Sequence, residues 1–240
     1  MLYLSDEGAA TVENLFVTAL DGGSTPLNLT RHDADGHDVR NFVLTPDGTR
    51  AVYSLRLSSG SDEVRVVPLD GSVPPLTLAS SYGALQFRFT ADGTRVLYHA
   101  YNSTLRVREL VSVLLDASEP ARTHGQGVGP YIDSFTLSPD GEWLVYSTDF
   151  RLFVVPLDGS VPAVERAHSV GDYVFARDGH LLCATAAGLF DLGPPSDPGA
   201  TLLAELDSRA ALRLTPDGNR VLYTRNELYL RFLARPHRPR

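Results

Sequence analysis

The stretch Leu44-Thr45-Pro46-Asp47-Gly48-Thr49-Arg50-Ala51-Val52-Tyr53-Ser54 constrains this chain more than anything else in it, because close copies recur along its length. They read FTADGTRVLY over residues 89–98, LSPDGEWLVY over 137–146 and LTPDGNRVLY over 214–223, with a weaker copy, FARDGHLLCA, over 175–184. The aspartates at 47, 92, 140, 178 and 217 stand 45, 48, 38 and 39 residues apart. Where the turn reads Pro-Asp-Gly, Pro presets φ for the first turn position and Asp tolerates the bridge region. Gly then supplies the positive φ that closes a three-residue hairpin loop with a bulge.

Each copy therefore reads as a β-hairpin. An apolar side chain stands five residues before the Asp (Phe42, Phe87, Phe135, Tyr173, Leu212) and another three before it (Leu44, Phe89, Leu137, Phe175, Leu214), which puts both on one strand face. After the turn, β-branched and aromatic runs ending in Tyr53, Tyr98, Tyr146 and Tyr223 predict a strand buried on both faces. A second module follows the hairpin: EVRVVPLDG over 63–71, RLFVVPLDG over 151–159 and, near the start, NLFVTALDG over 14–22. Its Asp-Gly turn leads into a short strand such as Leu76-Thr77-Leu78 or Leu27-Asn28-Leu29. Residues 66–74 and 154–162 are the same nonapeptide, VVPLDGSVP, 88 positions apart, or two repeat lengths. Four strands per repeat of about 40–45 residues is the signature of a propeller blade rather than of a helical repeat.

The expected fold is all-β: a β-propeller of four-stranded antiparallel blades, about six repeat units in one domain over residues 1–240. A 43% apolar fraction with 16 Pro and 20 Gly suits many short strands and tight turns, and no ten-residue stretch has helical apolar spacing with a cap. Complete blades are expected at about 39–83, 84–125, 130–168 and 171–206. Tyr3-Leu4-Ser5 aligns with Tyr53-Ser54, so residues 1–29 supply the later strands of a partial blade, and 209–234 supply the first three strands of another, the third at Glu227–Leu233. Three geometries stay open: part of a longer propeller, six blades with two defective ones at the seam, or five blades with a hairpin left over. Unpaired strand edges in the partial blades predict self-association.

Net charge is −8, and all 21 basic residues are arginines scattered along the chain, which argues against nucleic acid as a partner. The one basic cluster is the tail at 235–240. No apolar run approaches the eighteen or so residues of a membrane span, so no membrane insertion is expected. The single cysteine, Cys183, allows no internal disulfide and reads as a small core hydrophobe. Met1 to Ser5 lacks the basic and apolar regions of a secretory signal.

The repeat Leu-Thr/Ser-Pro-Asp-Gly-x-x-Val/Leu-x-Tyr, followed by a Leu-Asp-Gly turn and a Leu-x-Leu-Thr strand, resembles the TolB-like β-propeller repeat, a relative of WD repeats. The resemblance covers essentially the whole chain. It is specific for a blade and unspecific for function, since similar blades occur in TolB, in bacterial extracytoplasmic proteins and in the gate domains of prolyl-oligopeptidase-type peptidases. Resemblance to TolB implies a non-catalytic protein-binding scaffold of the cell envelope, periplasmic or extracellular. The N-terminal α/β domain of TolB has no counterpart in these residues. The alternatives are the propeller of a larger enzyme, such as that peptidase gate or a polysaccharide lyase, and a truncated product without independent function.

No Gly-x-Ser-x-Gly elbow, Gly-rich phosphate loop, Cys-x-x-Cys pair or His-Glu-x-x-His motif occurs, so neither catalysis nor a cofactor is expected. The cluster Arg31-His32-Asp33-Ala34-Asp35-Gly36-His37-Asp38 contains Asp-x-Asp-Gly, but the bidentate Glu that closes an EF-hand loop is missing, and the cluster reads as a solvated acidic loop with no metal. The turn aspartates read as structural, chosen for turn geometry and a short bond to nearby backbone. Binding belongs where the repeat fails to repeat. Six residues before each turn Asp stand Asn41, Gln86, Ser134, Asp172 and Ala211. With their neighbours these give the candidate binding set Arg40, Asn41, Gln86, Tyr131, Asp133, Asp172 and Tyr173 on the channel and loop face. A ligand-specific surface and plain solvation of a wet channel both fit these residues.

Overall fold

The computed structural model describes residues 1–6, 12–21, 23–30, 36–127, 131–206, 210–218, 220–223 and 233–234. The chain divides into two compact units, Met1–Pro130 and Tyr131–Arg240. In the first, β1 (Leu2–Ser5), β2 (Asn14–Val17) and β3 (Leu27–Asn28) form a three-stranded sheet. Two four-stranded sheets follow: β4 (Asp38–Leu44), β5 (Arg50–Arg56), β6 (Asp62–Pro68) and β7 (Leu76–Ser81), then β8 (Leu85–Phe89), β9 (Arg95–Asn102), β10 (Val107–Leu114) and β11 (Arg122–Gln126). The second unit opens with β12 (Ser134–Leu137), β13 (Trp143–Thr148), β14 (Arg151–Pro156) and β15 (Val164–His168). Next come β16 (Val170–Phe175), β17 (Leu181–Thr185), β18 (Gly188–Asp191) and β19 (Thr201–Ala204). Its last sheet is β20 (Leu212–Leu214), β21 (Arg220–Tyr223) and β22 (Leu233–Ala234). Every sheet is an antiparallel meander in chain order, as expected of blades built from two successive hairpins.

The repeated turn closes the same way in each strong copy. Thr45 N–H donates to the Arg50 carbonyl at 2.9 Å, Gly48 N–H to the Thr45 carbonyl at 2.8 Å, and Gly48 sits at φ 68°. Asp47 Oδ1 accepts from the Thr45 hydroxyl and from Thr49 N–H, at 2.5 and 3.0 Å. The hydroxyl and then the amide hold the Asp47 carboxyl down at about 2. Thr90 with Asp92, Ser138 with Asp140 and Thr215 with Asp217 repeat this pairing. In the weak copy Ala176 replaces the hydroxyl, and Asp178 accepts from the His180 N–H at 3.2 Å. The repeated carboxylates are thus consumed by the turns they close.

Second strands are buried throughout their middles, and Tyr53, Tyr98, Tyr146 and Tyr223 are at most 5% exposed. The reason is sheet-on-sheet packing on both faces. Tyr53 and Leu55 of β5 pack with Leu15 of the preceding sheet and with Leu29 just after it, whereas Val52 and Val64 pack with Phe87 and Tyr98 of the next. In the second unit Val145 and Leu152 pack with Val170, Leu181 and Cys183, and Leu182 and Leu189 with Leu212 and Tyr223. Each such large side chain contributes about 1.5–3 kcal/mol. Cys183 is fully buried.

Leu44, the last residue of its strand and next to the turn, is 45% exposed. Of the third strand of the final sheet, expected at Glu227–Leu233, the described part is Leu233–Ala234, which pairs Leu233 with Val221; residues 224–232 lie outside the described residues. Residues 31–35 of the acidic loop and the basic tail at 235–240 lie outside them too. Among the described residues no helix is long and apolar enough to cross a membrane.

Candidate binding cleft

Three first strands carry a β-bulge near their starts, at the positions where the repeat varies. The register shifts between Val39 and Asn41, between Leu85 and Arg88, and between Val170 and Asp172. A bulge adds one unpaired residue and re-aims its neighbours, so these strand starts carry side chains that a regular ladder would place elsewhere. Arg40 is the extra residue in β4 and reaches Asp38 at 2.8 Å, while Asn41 stands opposite Ser54. Gln86 lies in the β8 bulge with φ 56° and is exposed. These three candidates belong to the first unit, on two different sheets.

In the second unit three candidates meet. Asp133, Asp172 and Tyr173 line a cleft of about 270 Å³ together with Ser134, Ser147 and Phe150, Val170 and Gly171. Its floor is a chain of hydroxyls: Tyr173 Oη lies 2.9 Å from Ser134 Oγ, which lies 3.0 Å from Ser147 Oγ. Burial pushes the Tyr173 phenol up to about 12, against the hydrogen bonds from Ser134 and Ser147, so it stays protonated and serves as a hydrogen-bonding group. Asp172 is tied into the fold. Its Oδ1 accepts from Tyr173 N–H and its Oδ2 from Leu212 N–H, both at 2.8 Å, with Arg213 at 3.5 Å. Asp133 is exposed; its N–H donates to the Ser147 carbonyl at 2.9 Å, leaving the carboxylate at the rim. Tyr131, 68% exposed, is outside the lining; its carbonyl accepts from the Thr148 hydroxyl at 2.8 Å, which sets it beside the β13–β14 turn.

That turn supplies the residue the sequence reading missed. Thr148 pairs with Arg151, leaving a two-residue link, Asp149-Phe150, with φ of 47° and 59°. Two left-handed residues make the hairpin turn that Asn-Gly ordinarily fills, and a phenylalanine there is strained by about 1–2 kcal/mol. Phe150 is 51% exposed over the cleft, and its carbonyl accepts from Val170 N–H at 2.8 Å, tying the turn to the next sheet. The signal was present: an aromatic residue at the second position of a two-residue hairpin link. A further recess of about 250 Å³ in the same unit is lined by Arg166, Ala187, Phe190 and Leu192 among others. The Arg166 guanidinium there donates to the carbonyls of Pro195, Leu192 and Gly199 and braces that loop.

No protein-family model and no curated protein matches the sequence. Solved structures do. The structure of the Dos1 propeller is 10% identical over 88% of this chain and 60% of its own, with a TM-score of 0.59. The sheets are β-propeller blades. The same propeller fold is similar to a prolyl endopeptidase structure, at 17% identity over 92% of this chain and 36% of that one, with a TM-score of 0.54. A TolB structure from Agrobacterium tumefaciens is 17% identical over 91% of this chain and 83% of its own, with a TM-score of 0.49. The chain spans less than two thirds of the first two structures, and at these identities the likeness is one of fold.

Proposed function

We propose that this chain is a non-catalytic recognition scaffold, a TolB-type propeller that presents loops to a protein partner or another cell-envelope component. One observation carries the reading. Three of the residues that depart from the repeat, Asp133, Asp172 and Tyr173, meet at one cleft, whereas the repeated carboxylates are spent on turns. Such a division suits a fold in which rigid sheets hold variable recognition groups. The envelope assignment is supported by the Pro-Asp-Gly repeat and its TolB resemblance. The test compares the purified chain with an Asp133→Arg variant, each immobilised against the same envelope extract. A partner retained by the first and released by the second is expected; equal retention, or none by either, refutes the reading.

The similarity to a prolyl endopeptidase favours a second reading, the propeller of a larger enzyme. Reading the gene on either side separates the two. An adjoining α/β-hydrolase segment with a nucleophile elbow favours the enzyme, and further Pro-Asp-Gly repeats favour the scaffold.

A further inference from the structure

We propose that the cleft takes the side chain of an arginine presented by a protein partner, a proposal that rests on reading the cleft as the recognition site. Size narrows the ligand first. At about 270 Å³ the space falls below the range of about 300–1,000 Å³ that encloses a whole small-molecule ligand, and an open cleft of this size suits one long side chain. Charge narrows it next. The Asp133 carboxylate has no hydrogen-bond or ion-pair partner among the described residues, while Asp172 behind it is engaged by two amides and by Arg213. An entering cation meets one uncommitted carboxylate without displacing a native bond, and an anion meets repulsion from both.

Hydrogen bonding and shape then separate arginine from lysine. The Tyr173, Ser134 and Ser147 hydroxyls form a row of acceptors along the floor, which matches a planar fork of N–H donors better than a single ammonium point. Phe150 is the wall. Its half-exposed ring is held at the cleft by a left-handed turn that glycine would fill with less strain, and a guanidinium stacks on such a face. The hydroxyls, the wall and the rim charge come from three separate segments, 133–134, 147–150 and 170–173.

The test uses the full chain, isotope-labelled, titrated by NMR with blocked pentapeptides Gly-Gly-X-Gly-Gly in which X is Arg, Lys, Gln or Glu. Amide shifts are expected at residues 133–134, 147–150 and 170–173. The Arg peptide should bind about tenfold more tightly than the Gln peptide, and Asp133→Asn should remove about that factor. Phe150→Ala should weaken Arg more than Lys, because stacking favours the planar group. Both variants change exposed side chains, so unchanged spectra elsewhere establish that they fold. Equal binding of the Arg and Gln peptides, preference for Glu, or an Asp133→Asn chain that binds Arg unchanged would overturn the arginine assignment and leave the cleft a recognition site. Shifts that map elsewhere, or none with any peptide, would overturn the cleft reading as well.

Discussion

Acidification should destabilise this protein through two buried imidazoles in the first unit. His99 on β9 is 4% exposed, and its Nδ1 lies 3.3 Å from the Arg108 guanidinium. His124 on β11 is 6% exposed, with Nε2 2.8 Å from Ser112 Oγ and the arginines Arg122 and Arg95 nearby. Burial, reinforced by those arginines, lowers both from 6.5 to about 4. The sign follows directly. Between those values the unfolded chain binds protons that the folded chain refuses, so stability is full above about pH 6.5, falls as pH drops and levels off below about 4. At about pH 5 the loss is about 2 kcal/mol per histidine, and about 4 kcal/mol for the pair is a large share of a domain stability of about 5–15 kcal/mol. Urea unfolding followed by circular dichroism at about pH 7.5 and 5 measures it. The His99→Asn, His124→Asn double variant should lose about 4 kcal/mol of that pH dependence, whatever its stability at neutral pH. If wild type and double variant lose stability equally between the two pH values, the reasoning is wrong.

Glycine positions offer a graded check: Gly48→Ala, at φ 68° with open space around the new Cβ, should cost about 1–2 kcal/mol, the ordinary left-handed penalty. Gly188→Ala should cost distinctly more in the same unfolding assay, since its Cβ would stand 2.7 Å from the Ala204 carbonyl oxygen. Phe150→Gly should leave thermal stability within about 1 kcal/mol, strain relief offsetting lost ring contacts, while binding of the Arg peptide falls. Cys183, whose thiol burial pushes up to about 12, should be silent to a thiol reagent in the folded protein and react fully in denaturant; rapid native labelling would refute its burial. Light scattering should show concentration-dependent association, because β1, Leu2–Ser5, ends its sheet with a proline-free apolar edge; a monomer at every concentration would refute that.

The hairpins, their antiparallel order and the blade class were legible from the Pro-Asp-Gly and Leu-Asp-Gly turns, because turn type depends on the few residues within it. Burial of Tyr53, Tyr98, Tyr146 and Tyr223 was legible for the same kind of reason, since runs without polar alternation require cover on both faces. The hydroxyl two residues before the turn Asp was visible as a repeated Thr or Ser, yet its bond to the carboxylate needed the folded loop to be seen. Asp133, Asp172 and Tyr173 were visible as odd residues in a regular pattern, but the same reasoning ranked Arg40, Asn41, Gln86 and Tyr131 beside them and had no means to choose.

From the chain alone came every feature written in contacts a few residues long: the turns, the strand faces and the repeat of about 40 residues that stacks one hairpin pair on the next. Tertiary structure decided the rest. Bulges at 39–41, 85–88 and 170–172 depend on how each first strand meets its neighbours, and only packing of successive sheets brought residues 133, 150 and 173 around one space. Sequence spacing describes one strand at a time, whereas a binding cleft is made by side chains from strands that meet only after the sheets have packed.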